Sequence, residues 1–321
     1  MPAKQSTIHV LRPGLLTTIQ DLGRAGYQRF GVSVSGVMDP WAFIVGNRLL
    51  GNPDHAAGLE ITIQGPELLF EQASSIAITG ADLSPTSDGL TIPMWTVVVL
   101  QAGSRLQFGM RRRGARAYLT VAGGIDCPLM LGSRSTHVRS GLGGLAGRAL
   151  KKWDQVGVGP ARTAGARYAD GTFPESHRPR YHISPTVRVM PGPQAHRFTE
   201  GALQTLAGRP YRLTSESDRM GYRLQGSKLI HRISTDIVSD AVSAGCIQVP
   251  ADQQPILLMA DCHTTGGYAK LATMIAADRS LAAQLSPGDT LSFAIITAEE
   301  ASTLLRSAHA ELDRLLPPRG R

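Results

Sequence analysis

The residues best suited to chemistry lie in one stretch, Asp261-Cys262-His263-Thr264-Thr265-Gly266-Gly267-Tyr268-Ala269-Lys270. A carboxylate, two hydroxyls, two glycines, a phenol and an ammonium follow the apolar run Ile256 to Met259. Backbone N–H groups exposed by Gly-Gly, together with Thr hydroxyls and Lys270, are the donor set that cradles an anion or a developing oxyanion. A purely structural turn would need only the glycines, so this segment is expected to be a functional loop.

A second element occurs twice. Asp21-Leu22-Gly23-Arg24-Ala25-Gly26-Tyr27-Gln28 returns, shortened, as Asp218-Arg219-Met220-Gly221-Tyr222-Arg223. Asp can hold Arg bidentately and leave a pre-organised cation for a carboxylate or phosphate. The same residues also fit a structural Asp-Arg lock at a β-turn with Gly at positive φ. Further echoes keep their order: Ile63-Gln64-Gly65-Pro66 with Ile247-Gln248-Val249-Pro250, Ala81-Asp82 with Ala260-Asp261, and Gly103 to Phe108 with Gly288 to Phe293. This spacing is too long for a solenoid and indicates two related domains. The copies differ where it matters, because Leu83-Ser84-Pro85 follows the first Ala-Asp. The second half is therefore where chemistry is expected.

Several function classes lose support. The net charge is +8, yet the only dense basic run, Arg111-Arg112-Arg113 with Arg116, lacks interleaved aromatics and reads as a solvated turn, not a nucleic-acid surface. A basic surface can still attract acidic small molecules or an acidic partner protein. Cys127, Cys246 and Cys262 form no CxxC, and nine His form no HExxH, so neither a disulfide framework nor a metal centre is expected. Gly141 to Gly147 is glycine-dense, but the residues before it do not read as a strand, so a flexible turn is expected rather than a dinucleotide loop. No GxxxxGK[ST] or GxSxG occurs. Met1 to Val10 carries no apolar signal core, and no run approaches membrane-spanning length, so a cytoplasmic protein with no membrane partner is expected.

The elements that position these residues are short. Ile8 to Val10, Thr17 to Gln20, Leu59 to Ile63, Ser75 to Thr79, Thr96 to Leu100, Leu106 to Phe108 and Ala117 to Val121 read as strands. So do Thr186 to Val189, Pro210 to Leu213, Cys246 to Val249, Ile256 to Met259 and Thr290 to Ile296. The clearest helix is Pro40 to Leu50, with Asp39 as N-cap, Pro at the first position and Gly51 as stop. Thr297-Ala298-Glu299-Glu300 is a capping box that opens a last helix. Without βαβ alternation, the pattern favours β-barrel or sandwich domains.

Taken together, the motifs resemble the KipA family, also called allophanate hydrolase subunit 2 or the C-type subunit of 5-oxoprolinase, and half of the carboxyltransferase domain of urea carboxylase. The resemblance is carried by Thr17 to Arg24, Gly36-Val37-Met38-Asp39, Asn47 to Asn52, Leu59 to Thr62, Thr79 to Asp82, Val121 to Asp126, Leu131 to Thr136, Ser217 to Leu224, Ile247 to Pro250 and Thr264 to Tyr268. It implies a mainly β fold of two tandem cyclophilin-like β-barrel domains with a few short helices. These are expected at 7–160 and 186–297, with a linker at 161–185 and a C-terminal helix and tail at 298–321. It implies membership of an ATP-dependent 5-oxoprolinase-type complex, with a KipI-type (B-like) partner, a LamB/YcsF-type (A-like) partner and a small amide substrate. ATP would be bound by the complex. Two alternatives come with the resemblance: a carboxyltransferase fed by carboxybiotin on another protein, and a KipA-like regulator of a KipI-type kinase inhibitor. Residue type and motif position nominate Asp261, Thr264, Thr265 and Lys270 as catalytic. Asp21, Arg24, Asp218, Arg219, Gln248, Gly267 and Tyr268 are nominated for substrate binding. The chain departs from the family pattern at Gln253, His263, Ala269 and Trp153.

Overall fold

A computed structural model describes residues 6–161 and 171–318. Part of the expected linker, from 162 to 170, lies outside the described residues. The chain divides into two compact units. One comprises residues 1–24, 35–180 and 312–321, the other residues 25–34 and 181–311. The short arm at 25–34, part of the first repeated motif, thus belongs to the second unit.

Both units are mainly β, as the strand-rich sequence predicts. In the first, a seven-stranded sheet runs Ile125–Asp126, Gln155–Val158, Ser6–Arg12, Glu67–Phe70, Arg105–Phe108, Pro85–Ser87, Leu90–Thr91. A five-stranded sheet runs Leu16–Gln20, Gly58–Thr62, Arg113–Val121, Ser74–Asp82, Val97–Leu100. One core unites them, with Ile8, Val10, Leu68 and Leu106 from the first sheet and Ile61, Ile76 and Leu119 from the second. Removing this apolar surface from water is the main force holding the sheets together. Arg113–Val121 is buried along almost its whole length because it is central and covered on both faces. The basic run is therefore not one solvated turn, since Arg116 is carried into this strand and buried.

The helix Pro40–Leu49 forms as its caps predict, with the Asp39 carboxylate accepting from the Ala42 N–H at 3.0 Å. It lies on the five-stranded sheet at Gly46, where a Cβ would stand 2.9 Å from the Thr120 hydroxyl and 3.1 Å from that of Thr79. Only glycine permits that approach without displacement.

The second unit closes into a barrel: Thr186–Pro191, Lys270–Met274, Cys246–Gln248, Ile256–Leu258, Gly221–Gln225, Tyr211–Leu213, Thr290–Ile295, then back to Thr186–Pro191. The closing pair is parallel and the others are antiparallel. Closure leaves no open edge in the barrel. A separate two-stranded ribbon, Asp236–Ala241 with Thr265–Tyr268, stands outside it. Among the described residues no helix is long and apolar enough to cross a membrane.

Candidate functional site

The second repeated motif turns on Asp218, whose carboxylate accepts from the N–H groups of Met220 at 2.7 Å and Gly221 at 3.2 Å. This tight turn enters the strand Gly221–Gln225 and aims Arg219 inward, 6% exposed. The expected Asp-Arg pairing within the motif does not form. Asp261 holds Arg219 instead, with Nε to Oδ2 at 2.8 Å and Nη2 to Oδ1 at 2.9 Å. Asp218 sits too close in sequence and spends its carboxylate on the turn. Asp261 arrives from the end of the neighbouring barrel strand, its own N–H bonded to the Arg219 carbonyl at 2.8 Å. With both its oxygens on a buried guanidinium, Asp261 is well placed to orient Arg219.

The first copy is built differently. Asp21 accepts from Gly23 N–H (2.8 Å), Ser133 Oγ (2.6 Å), Arg134 N–H (2.6 Å) and Ser135 Oγ (2.5 Å). Arg24 is buried too, but its Nη2 donates to the Ser135 carbonyl. The glycine-dense segment explains this. Gly143 has φ +70, and a Cβ there would lie 2.7 Å from Arg24 Nη2 and collide with the Ser135 backbone. Gly141 to Gly147 is thus a tightly packed turn that supports Asp21 and Arg24. Sequence reasoning misses the hydroxyls of Ser133 and Ser135, although their alternation in Ser133-Arg134-Ser135-Thr136 is an available signal.

The stretch expected to be a polar loop is mostly strand. Thr265–Tyr268 pairs with Asp236–Ala241, Ala241 facing Thr265 and Asp240 facing Gly266. Gly266 has little space on its side-chain face, where a Cβ would strike the Gln248 amide and stand 2.9 Å from His263 Nε2. Gln248, 1% exposed, donates from Nε2 to the Tyr268 carbonyl at 3.5 Å. Thr265 and Tyr268 are exposed, while Thr264 and Gly267 are half-buried. Lys270 lies in the adjoining barrel strand, opposite Gln248.

The Lys270 ammonium donates to Asp240 Oδ2 at 2.5 Å and to the Ala241 carbonyl at 2.8 Å. Gln194 spans the pair, its Oε1 accepting from Lys270 N–H at 3.3 Å and its Nε2 donating to Asp240 at 3.2 Å. The hydrogen bond from Lys270, with the Ala241 N–H bond and the lysine charge, holds the Asp240 carboxyl below the usual carboxylate range. Asp240 and Gln194 carry no local sequence signal, since each is a single polar residue among ordinary neighbours.

Gln248, His263, Gly266, Lys270, Asp240 and Gln194 therefore form one polar cluster where the ribbon leaves the barrel. Asp261, which holds Arg219, lies just upstream of His263 in the chain. The arm at 25–34 reaches the same segment, with Ser33 Oγ donating to the Cys262 carbonyl at 2.7 Å. Burial, then the neighbouring Cys246 and Asp261, pushes the Cys262 thiol up to about 12, so it remains protonated. The cluster offers a buried ammonium, an amide and ribbon hydroxyls, a donor set suited to a carboxylate or an oxyanion. A cavity of about 210 Å³ lined by His196, Phe198, Glu200 and Leu271 contains none of the residues nominated from sequence. Its lining lacks the convergent donors of the cluster. Among the described residues no group of three or more His, Cys, Asp or Glu stands where it could hold a metal ion.

Comparison with known proteins matches residues 30–295 to the family model "carboxyltransferase domain, subdomain A and B". The chain is 37% identical over 294 residues to the C-type subunit of 5-oxoprolinase from Escherichia coli (strain K12), covering 92% of this chain and 93% of that protein. It is 32% identical over 330 residues to the urea amidolyase of Saccharomyces cerevisiae, covering 97% of this chain but 18% of the yeast enzyme. The crystal structure of the Kluyveromyces lactis urea carboxylase superimposes with a TM-score of 0.91 at 30% identity, covering 98% of this chain and 30% of that one.

Proposed function

Because the chain belongs to the carboxyltransferase domain family, subdomain A and B, we propose that it is the C-type component of an ATP-dependent 5-oxoprolinase complex. The complex opens the ring of 5-oxoproline with water, coupled to ATP hydrolysis, giving glutamate, ADP and phosphate. The observation carrying this reading is the end-to-end match to a stand-alone 5-oxoprolinase component, at 92% of one chain and 93% of the other. The urea amidolyase match spans only a fraction of a much longer enzyme. Its whole activity is the weaker guide to this chain.

In this reading Lys270 and Arg219 supply positive charge toward the substrate, Asp261 orients Arg219, and Gln248 and the Thr264–Thr265 hydroxyls bind polar atoms of the amide. Tyr268 and Gly267 line the approach. Asp218 shapes the turn that presents Arg219, and Asp21 and Arg24 hold the corresponding segment of the first unit. Opening a lactam builds negative charge on its oxygen, which buried cations and oriented donors stabilise. ATP would be bound by the complex with its B-like (KipI-type) and A-like (LamB/YcsF-type) partners; Gly141 to Gly147 is a packed turn.

A carboxyltransferase role is the second reading, favoured by the TM-score of 0.91 to urea carboxylase. Carboxybiotin would then arrive on another protein. The test is reconstitution with the partner proteins, following ADP release with 5-oxoproline and then with urea and carboxybiotin. Turnover with 5-oxoproline, lost in Lys270→Ala, supports the leading reading. Turnover with urea and carboxybiotin alone supports the second. Tight partner binding without either sinks both and leaves a KipA-like regulatory role.

A further inference from the structure

The Lys270 ammonium already carries an anion. Its side chain is 3% exposed, whereas that of its partner Asp240 is 49% exposed. An ammonium buried to this degree is costly without a counter-charge, so the site favours an anion beside it. The two partners differ in freedom to move. Lys270 is fixed in a barrel strand paired on both sides, with Thr186–Pro191 and with Cys246–Gln248. Asp240 belongs to the ribbon strand Asp236–Ala241, which among the described residues pairs only with Thr265–Tyr268, and whose register slips between Asp236 and Asp240. The ribbon residue Val238 is 93% exposed.

When Asp240 leaves it gives up its bonds to Lys270, Gln194 and the Ala241 N–H, but as a half-exposed carboxylate it regains hydration in exchange. Lys270 can lose it cheaply only if another anion takes its place. Gln194 bridges the two partners and holds the resident pair together. We infer that Asp240 is a resident anion on Lys270, and that the site selects substrates whose own carboxylate can replace it. The inference rests on the reading of Lys270 as a substrate contact, and it narrows the substrate to amides that also carry a carboxylate. Urea and other neutral amides fail this requirement, because displacing Asp240 with a neutral group would strand the ammonium. 5-Oxoproline meets it.

Two measurements test the inference. In the reconstituted complex, Asp240→Asn removes the competing charge and keeps the size of the side chain. A competitor that occupies its site about nine-tenths of the time weakens apparent affinity about tenfold. The KM for 5-oxoproline is expected to fall by up to that factor in Asp240→Asn, with the KM for ATP unchanged, while Asp240→Glu keeps the wild-type KM. An unchanged or raised KM for 5-oxoproline in Asp240→Asn overturns the inference.

The second measurement needs no turnover. In the whole chain alone, backbone amide signals of Asp240 and Ala241 are followed by NMR during titration with sodium acetate and with acetamide. Acetate is expected to shift both signals to saturation and acetamide to leave them in place. If the complex is inactive on 5-oxoproline while acetate still displaces the ribbon, the proposed function fails and the resident anion stands. If neither ligand shifts these signals, or both shift them equally, the resident anion is wrong whatever the substrate.

Discussion

Arg219 and Asp261 are 42 residues apart in the chain and meet in a bidentate ion pair with both side chains 7% exposed. The pair joins the turn into one barrel strand to the end of the next, where the polar cluster begins. In the first unit the corresponding residues separate. Arg24 bonds the Ser135 carbonyl, and Asp82 caps Ser84 N–H at 2.9 Å. The two halves share a repeated motif, but only the second pairs its arginine with the aspartate that follows the repeated alanine.

Breaking that pair from one side leaves an unmatched buried charge, which costs about 3–5 kcal/mol. Arg219→Met and Asp261→Leu are each expected to lower the unfolding free energy, read from urea titration, by an amount of that order. The double variant, with neither charge, should recover part of the loss. A double-variant loss equal to the sum of the two single losses, measured by denaturant titration, would show that the pair is not coupled.

Gly266 and Gly267 differ despite being neighbours. A Cβ on Gly266 collides with the Gln248 amide, whereas on Gly267 its nearest contact is the Ile237 carbonyl at 3.7 Å. Gly266→Ala is expected to cost about 1–3 kcal/mol by overpacking and to reduce turnover with it. Gly267→Ala should stay near wild type in both thermal denaturation and ADP release. The reverse order would mean that the ribbon sits elsewhere.

Asp21 and Asp218 occupy equivalent places but carry different loads. Asp21 is 6% exposed and receives four donors, two of them hydroxyls from Ser133 and Ser135. Asp218 is exposed and caps a turn. Converting Asp21 to Asn points amide hydrogens at groups that donate, at a cost of about 1–3 kcal/mol. Asp218→Asn preserves the turn, because Asn caps nearly as well as Asp. Circular dichroism melts should separate the two variants by several degrees.

His231 gives a pH dependence. It stacks on Phe198 with ring centroids 4.5 Å apart, and its Nε2 lies 3.0 Å from the Val249 carbonyl. Burial holds its pKa below the ordinary imidazole value, the bond to Val249 pulls upward, and the charge of Arg197 pushes it lower. A base whose folded pKa is depressed binds its proton more readily when unfolded. Its stabilising contribution is fully present above about pH 6.5 and is lost as pH falls through the folded value. The urea midpoint should therefore drop on acidification below that pH, and the drop should shrink in His231→Phe. An equal slope in both proteins would assign the acid sensitivity to other groups.

Features written in neighbouring residues were legible. Asp39 caps Pro40–Leu49 as its position beside Pro40 predicts. The Thr297 and Glu300 capping box closes in both directions, at 2.8 and 3.2 Å. Most barrel strands fall where the sequence shows short apolar-rich runs between turns, because those signals act within a few residues. The repeat likewise announced two β units.

By itself, then, the sequence determined many of the strands, the capped helices, the duplication and the family, and it nominated the stretch from Asp261 to Lys270. The tertiary structure decided which partner each charge found. Arg219 took Asp261 over the nearer Asp218, Lys270 took Asp240 from an unremarked segment, and Thr265–Tyr268 became a ribbon strand instead of a loop. These outcomes depend on which strand ends the barrel closure brings together. A carboxylate 30 residues from its lysine leaves no trace in local spacing. Its burial and geometry exist only once the sheet has closed.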